Sequence, residues 1–255
     1  MNARSAMSAM SALSALRAGR ESPLAPQADA AHSRWSPSDV ESVEQVSMPD
    51  KRLIMAHDPR DPRCEQVRSL RTELLLRRES MERADIVALL SPCAGEGRSL
   101  LAAELAIAFA QTDHPTLLVD ADLRRPQQHL LFGAPNHQGL SQAIAYGERP
   151  HIHNVSGVPC LSVLTAGVIP NDPLELLSSR RFAALIEDWS SSYEFVVIDT
   201  APVGSFSDGL AVASLVGRVL ALSRAQHTPY RDMQDMLRRL GATRSRILGA
   251  VISHF

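Results

Sequence analysis

The sequence predicts an α/β fold in three layers, helix, sheet and helix, around a mainly parallel central sheet. Three observations predict it. Short Val, Ile and Leu runs alternate with longer segments of helical composition. Several runs are apolar throughout, as strands are when both faces of a sheet are covered. Three of them lead into glycine- or carboxylate-bearing segments, at the end of the strand where open parallel sheets hold their ligands.

The elements follow in order. Residues 1–48 are rich in Ala, Ser, Met and Pro and poor in aromatics, and are expected to form a flexible tail. Its SAMSAMSALSAL repeat reads either as a transient helix or as an interaction helix. Residues 49–255 are assigned to one domain. Pro62–Glu79 reads as a helix with proline at its start and many Arg and Glu. Strands are expected at Asp85–Leu90, Thr116–Val119, Leu161–Leu164, Phe195–Ile198, Arg218–Leu222 and Ile247–Ile252. Helices are expected at Ser99–Gln111, Leu140–Tyr146, Pro173–Ser190, Phe206–Val216 and Tyr230–Leu240.

Composition narrows the function classes. At 255 residues, with 45% hydrophobic and 21% charged residues, the chain has the make-up of a soluble globular protein. A net charge of −2 argues against a nucleic-acid binder. Cys64, Cys93 and Cys160 are far apart and suggest neither a zinc site nor a disulfide framework, so a reducing, cytoplasmic setting is expected. No apolar run approaches the roughly 20 residues that span a bilayer, and serines interrupt the N-terminus too often for a signal-peptide core. Any membrane link is expected to come through a partner.

The chemistry concentrates in SPCAGEGRS, Ser91–Ser99, between an apolar strand and an alanine-rich helix. A strand, a glycine loop and a helix start together make an anion site, because inward N–H groups and the helix dipole both favour phosphate. Gly95 and Gly97 let the main chain curl around the ligand, and Ser99 is placed to put a hydroxyl on Mg²⁺. Arg98 stands where such loops usually carry lysine, and Pro92 where they carry the first glycine. Arginine keeps the charge but fills the loop with a wider planar fork. Asp120 and Asp122 follow the next strand at a two-residue spacing, with Arg124 and Arg125 after them. Asp199 closes FVVID and suits a carboxylate that holds Mg²⁺ directly or through water. Singly, each feature also reads as a tight turn, a helix cap or a solvated pair; their ordered occurrence after successive strands points to nucleotide binding.

These segments resemble the bacterial tyrosine kinases of polysaccharide export systems, P-loop proteins related to the MinD and ParA ATPases. LLVDADLRRPQQHLLFG, GLSQAI and LSVLTAGVIPNDPLELLSS carry the resemblance over about residues 55–255. The EpsG-type chain-length-determinant kinases are the most similar subgroup, in which arginine in SPxxGEGRS and an ending like GAVISHF are usual. The resemblance implies a P-loop NTPase fold, ATP and Mg²⁺ as cofactors, and a nucleotide loop of Ala94, Gly95, Glu96, Gly97, Arg98, Ser99 and Leu100. It implies catalytic roles for Asp120, Asp122 and Arg98, with Asp120 helping to deprotonate the attacking hydroxyl, and metal roles for Ser99, Asp122 and Asp199. Glu65, Arg68 and Arg71 match the family's ExxRxxR motif, which contacts the neighbouring subunit in a ring; otherwise they read as a charged solvated helix. A transmembrane polysaccharide co-polymerase is the implied partner, and peripheral attachment at the inner membrane the implied location.

Two departures matter. The chain has only Tyr146, Tyr193 and Tyr230 and no tyrosine cluster before Phe255, so tail autophosphorylation of the usual kind is not expected. Cys93 stands where MinD and ParA proteins carry their signature lysine, which argues against a MinD-like membrane-positioning ATPase. Two readings of function stay open at this point: a protein-tyrosine kinase, or an ATP-binding assembly switch with little or no kinase activity.

Overall fold

A computed structural model describes residues 45–78 and 83–254. The expected tail and its repeat therefore lie almost wholly outside the described residues, as does Glu79. Eight strands form one sheet: β1 (Gln45–Val46), β2 (Asp85–Leu90), β3 (Thr116–Ala121), β4 (Ile152–Val155), β5 (Leu161–Leu164), β6 (Phe195–Thr200), β7 (Arg218–Arg224) and β8 (Arg246–Ser253). Their spatial order is β1-β4-β5-β3-β6-β2-β7-β8. All neighbouring pairs are parallel except β4 with β5. The mainly parallel α/β sheet expected from the sequence is thus present.

Helices α1 (Ile54–His57), α2 (Pro62–Leu76), α3 (Arg98–Ala110) and α4 (Gln128–Phe132) contribute to the core on one face. Helices α5 (Leu140–Tyr146), α6 (Pro173–Leu177), α7 (Arg180–Ser192), α8 (Asp208–Val216) and α9 (Tyr230–Gly241) contribute to the core on the other. The strands explain why both faces must be covered. In β2, Val87 and Leu89 enter the first core while Ile86, Ala88 and Leu90 enter the second. In β6, Phe195 and Val197 alternate in the same way with Val196 and Ile198. A period of two with apolar residues on both sides is the pleat of a doubly covered strand. Phe109 of α3 stacks on Phe195 at 4.0 Å and 10°, seating that helix over the sheet centre.

The structure differs from the sequence reading in several places. Gln45–Val46, expected in the tail, pair with β4 as an edge strand. Strand β4 itself lies outside the expected strands: HNV alternates too briefly to signal one, and pairing with β5 creates it. The single helix expected over Pro173–Ser190 is two helices. Ser178 ends the first and Ser179 caps the second, its Oγ accepting from Phe182 N at 3.2 Å. Strand β3 runs on through Asp120 and β6 through Asp199, so both carboxylates belong to strands.

Candidate phosphate and cation site

Strands β3, β6 and β2 are neighbours at the middle of the sheet, and their carboxyl ends bring the phosphate loop and the three aspartates together. Gly97 precedes α3 with φ 86°, and Gly95 has φ 76°. Both lie in the left-handed region that suits glycine. Among the described residues no side chain caps the first turn of α3, so its N–H groups are available to an anion. The loop is stiffened from behind. The buried Glu96 carboxylate accepts from Cys93 N at 2.8 Å and from the Thr228 hydroxyl. Val203 N and Gly204 N donate to the Ser91 and Pro92 carbonyls at 2.9 Å each. Ala94, Gly95, Glu96, Gly97, Arg98, Ser99, Leu100 and Asp122 all line one cavity of about 520 Å³, with Arg52, Arg124, Arg125 and Phe206 also on its wall. Of these, Glu96 uses its carboxylate to hold the loop's shape.

Arg98 is the unexpected part. Its guanidinium is nearly buried and makes three bonds inside the protein. Nε donates to Asp199 Oδ1 at 3.2 Å, Nη2 to Asp122 Oδ2 at 3.3 Å, and Nη1 to Ser91 Oγ at 2.6 Å. Thus Arg98 lies across the very carboxylates expected to hold a cation. Burial pushes the Asp199 carboxyl up, and Arg98, the Ser99 hydroxyl and Gln128 pull it back.

Asp120 is fully buried and does not line the cavity. It pairs in register with Asp199 across β3 and β6. Its Oδ1 accepts from Asp122 N at 3.2 Å; its Oδ2 accepts from Gln127 N at 3.0 Å and Gln128 N at 2.9 Å. These bonds fold the 122–128 loop back over the strand end. Burial, with the Asp199 charge beside it, holds the Asp120 carboxyl well above the usual carboxylate range. Asp122 accepts from Arg124 N at 3.2 Å and Arg125 N at 2.9 Å and remains on the cavity wall.

Two contributors escaped the sequence reading. Asp208, fully buried at the start of α8, takes the Arg124 guanidinium in a fork, 2.5 Å from Nε and 3.0 Å from Nη2. The same guanidinium lies 4.0 Å over the Phe206 ring. Locally, Asp208 looks like an ordinary first-turn acid. Gln128, fully buried, donates through Nε2 to Asp199 Oδ2 at 2.9 Å and to the Ser99 carbonyl at 3.0 Å. No spacing rule marks it.

The ExxRxxR residues divide along α2. Glu65 is exposed and pairs with Arg68 at 3.4 Å, and Arg68 also donates to the Pro59 carbonyl. Arg71 Nη1 turns inward to the Ala108 carbonyl near the end of α3 at 2.7 Å. All three are engaged with their own chain.

The residues fit phosphate and a hard cation. The uncapped helix start and left-handed glycines suit phosphate oxygens, and Ser99, Asp122 and Asp199 offer the all-oxygen donor set that Mg²⁺ prefers. A glycine loop opening a helix, beside strand carboxylates on a mainly parallel sheet, defines a P-loop nucleotide-binding protein. No family model matches the chain. It is 31% identical to the tyrosine-protein kinase YwqD of Bacillus subtilis over 205 residues, covering 80% of this chain and 86% of that one. It is 32% identical to the tyrosine-protein kinase etk of Escherichia coli K12 over 202 residues, covering 79% of this chain but only 28% of that longer protein. The solved kinase domain of E. coli ETK superposes with a TM-score of 0.75 at 28% identity, over 82% and 89% of the two chains. The cell-division ATPase MinD of Pyrococcus furiosus shares the fold, with a TM-score of 0.57 at 21% identity over 66% and 71%. The chain belongs to the bacterial tyrosine-protein kinase family.

Proposed function

We propose that this protein is an ATP- and Mg²⁺-dependent protein-tyrosine kinase that regulates the synthesis, chain length or export of an exopolysaccharide. The observation that carries the reading is the convergence of the phosphate loop and Asp122 on one cavity, with Asp199 directly behind. Phosphoryl transfer needs positioning and charge neutralisation more than covalent chemistry. The phosphate loop, Arg98 and the α3 N-terminus would hold the phosphates. Ser99, Asp122 and Asp199 would hold Mg²⁺, which supplies neutralisation of the phosphate oxygens when bound. Asp122, which lines the cavity wall, would orient the attacking tyrosine hydroxyl. Asp120 would support catalysis by shaping the loop that carries Asp122, and the family resemblance assigns it help in deprotonating the hydroxyl.

The wider role follows from family membership and from the resemblance to EpsG-type kinases. The partner is a transmembrane polysaccharide co-polymerase that holds the chain at the inner face of the membrane. Among the described residues no helix is long and apolar enough to cross a membrane. Glu65, Arg68 and Arg71 would contact the next copy in a ring, on exchanging their present intrachain bonds. One observation favours a second reading, an ATP-driven assembly switch without phosphotransfer: Arg98 is committed to the carboxylates that a kinase needs for its cation.

The test is phosphotyrosine formation from Mg-ATP by purified protein, with and without the cytosolic segment of the co-polymerase, against Asp122→Asn and Asp120→Ala controls. Signal that depends on Asp122 supports the kinase. Intact ATP binding with no signal in either condition leaves the switch.

A further inference from the structure

Gln128 is the first residue of α4, and it bonds to the ends of β3 and β6 and to the start of α3. Its backbone N–H donates to Asp120 Oδ2 at 2.9 Å. Its side-chain Nε2 donates to Asp199 Oδ2 at 2.9 Å and to the Ser99 carbonyl at 3.0 Å. The amide orientation is forced, because both side-chain partners are acceptors; turned over, Oε1 would face a carboxylate and a carbonyl. Oε1 itself is buried and has no hydrogen-bond partner among the described residues. Burying an unsatisfied acceptor is unfavourable. An apolar residue would anchor α4 without that cost, so anchoring alone does not account for glutamine here.

The two oxygens of Asp199 are held from opposite sides by different kinds of group. Oδ1 takes the Arg98 guanidinium, on a long side chain whose charge a cation can replace. Oδ2 takes the neutral Gln128 amide, which can stay in place when that exchange occurs. The second Gln128 bond ends on the carbonyl of Ser99. One amide therefore ties the Asp199 carboxylate to the residue that offers the other oxygen for the cation.

We propose that Gln128 is a positioning residue: it fixes the plane of the Asp199 carboxylate and its separation from Ser99, so that cation binding does not have to order them. This rests on the Mg-nucleotide reading above. Outer partners of metal-holding groups typically contribute 10- to 100-fold in metal affinity.

The test uses Gln128→Met, which keeps volume and removes the donors, and Gln128→Glu, which keeps shape and replaces the donor with a second carboxylate. A fluorescent ADP analogue is titrated in EDTA and then at rising Mg²⁺, and the melting temperature of each variant is recorded. The expected result is unchanged affinity in EDTA and a Mg²⁺ half-saturation about 10- to 100-fold higher in both variants. If Gln128→Met does not fold, Gln128→Glu decides. Wild-type Mg²⁺ half-saturation in a folded variant overturns the proposal. Equal loss of affinity with and without Mg²⁺ overturns it too, since that is a loop anchor's signature. A wild-type protein whose nucleotide binding ignores Mg²⁺ sinks the cation site as a whole, an outcome distinct from the other two.

Discussion

Arg98 Nε donates to Asp199 Oδ1 at 3.2 Å, across 101 positions of sequence. With Asp122 on Nη2 and Ser91 on Nη1, the guanidinium supplies the positive charge between two buried carboxylates. A divalent cation and this side chain therefore compete for the same acids.

Arg98→Ala should expose that competition. Removing one partner of a buried ionic set typically costs about 3–5 kcal/mol, because the remaining charges are left uncompensated. Urea denaturation of the nucleotide-free variant should show a loss of this order, and added Mg²⁺ should recover part of it. A Mg²⁺-induced shift no larger than that of the wild type would mean that guanidinium and cation do not share a position.

Asp208→Asn should loosen the cavity wall. The two-pronged, charged fork from Arg124 is reduced to one neutral acceptor, the asparagine Oδ1, beside the Phe206 face. Hydrogen bonds to charged groups contribute about 1.5–3 kcal/mol, so a stability loss in that range is expected. A double-mutant cycle with Arg124→Ala measures it, and a coupling energy near zero would reduce the pair to coincidence.

Gly95→Ala separates folding from binding. A Cβ at Gly95 meets no atom of the described residues within 4 Å, so the folding penalty comes from its φ of 76°. That penalty is about 1–2 kcal/mol. Because Gly95 lines the cavity, the same methyl should obstruct phosphates far more than it destabilises the fold. Paired melting and ADP titration read the two effects; a binding loss no larger than the stability loss would place the phosphates elsewhere.

Glu104 makes stability depend on pH. Its buried carboxylate accepts from Ile54 N at 2.6 Å and Met55 N at 3.0 Å, fastening α1 to α3. Burial raises its pKa above the ordinary 4.5, with those N–H groups opposing. A raised folded-state value favours the protonated form. The resulting stability is fully present below 4.5 and is lost as pH climbs through the folded-state value. The amide introduced by Glu104→Gln does not titrate, so wild-type stability minus that of the variant should fall as pH rises from 4.5. Urea midpoints at several pH values check the slope; a flat difference would contradict it.

Much of the fold was legible because strand and helix signals are local. Phe195–Ile198 and Asp85–Leu90 declare themselves as doubly buried strands by composition, and Gly95 and Gly97 declare a left-handed loop before a helix. The misses have one cause. Ile152–Val155 becomes a strand by pairing with β5, Gln45–Val46 by adding to its outer edge, and Ser179 divides a continuous helical run by capping the helix that follows it. Asp120, expected just after a strand, lies in the strand with its oxygens taken by backbone N–H groups. Its neighbour two positions on reaches the cavity instead.

The sequence by itself determined the alternation of elements, the phosphate loop and which strands end in carboxylates, because backbone propensity and side-chain period act over a few residues. Only the tertiary structure decided that Arg98 turns into the acids, that Gln128 joins Ser99 to Asp199, and that Asp208 holds Arg124. Those contacts depend on the order β3-β6-β2, set by how the crossovers pack on both faces of the sheet, and no local pattern encodes which loops that packing brings within a hydrogen bond of one another.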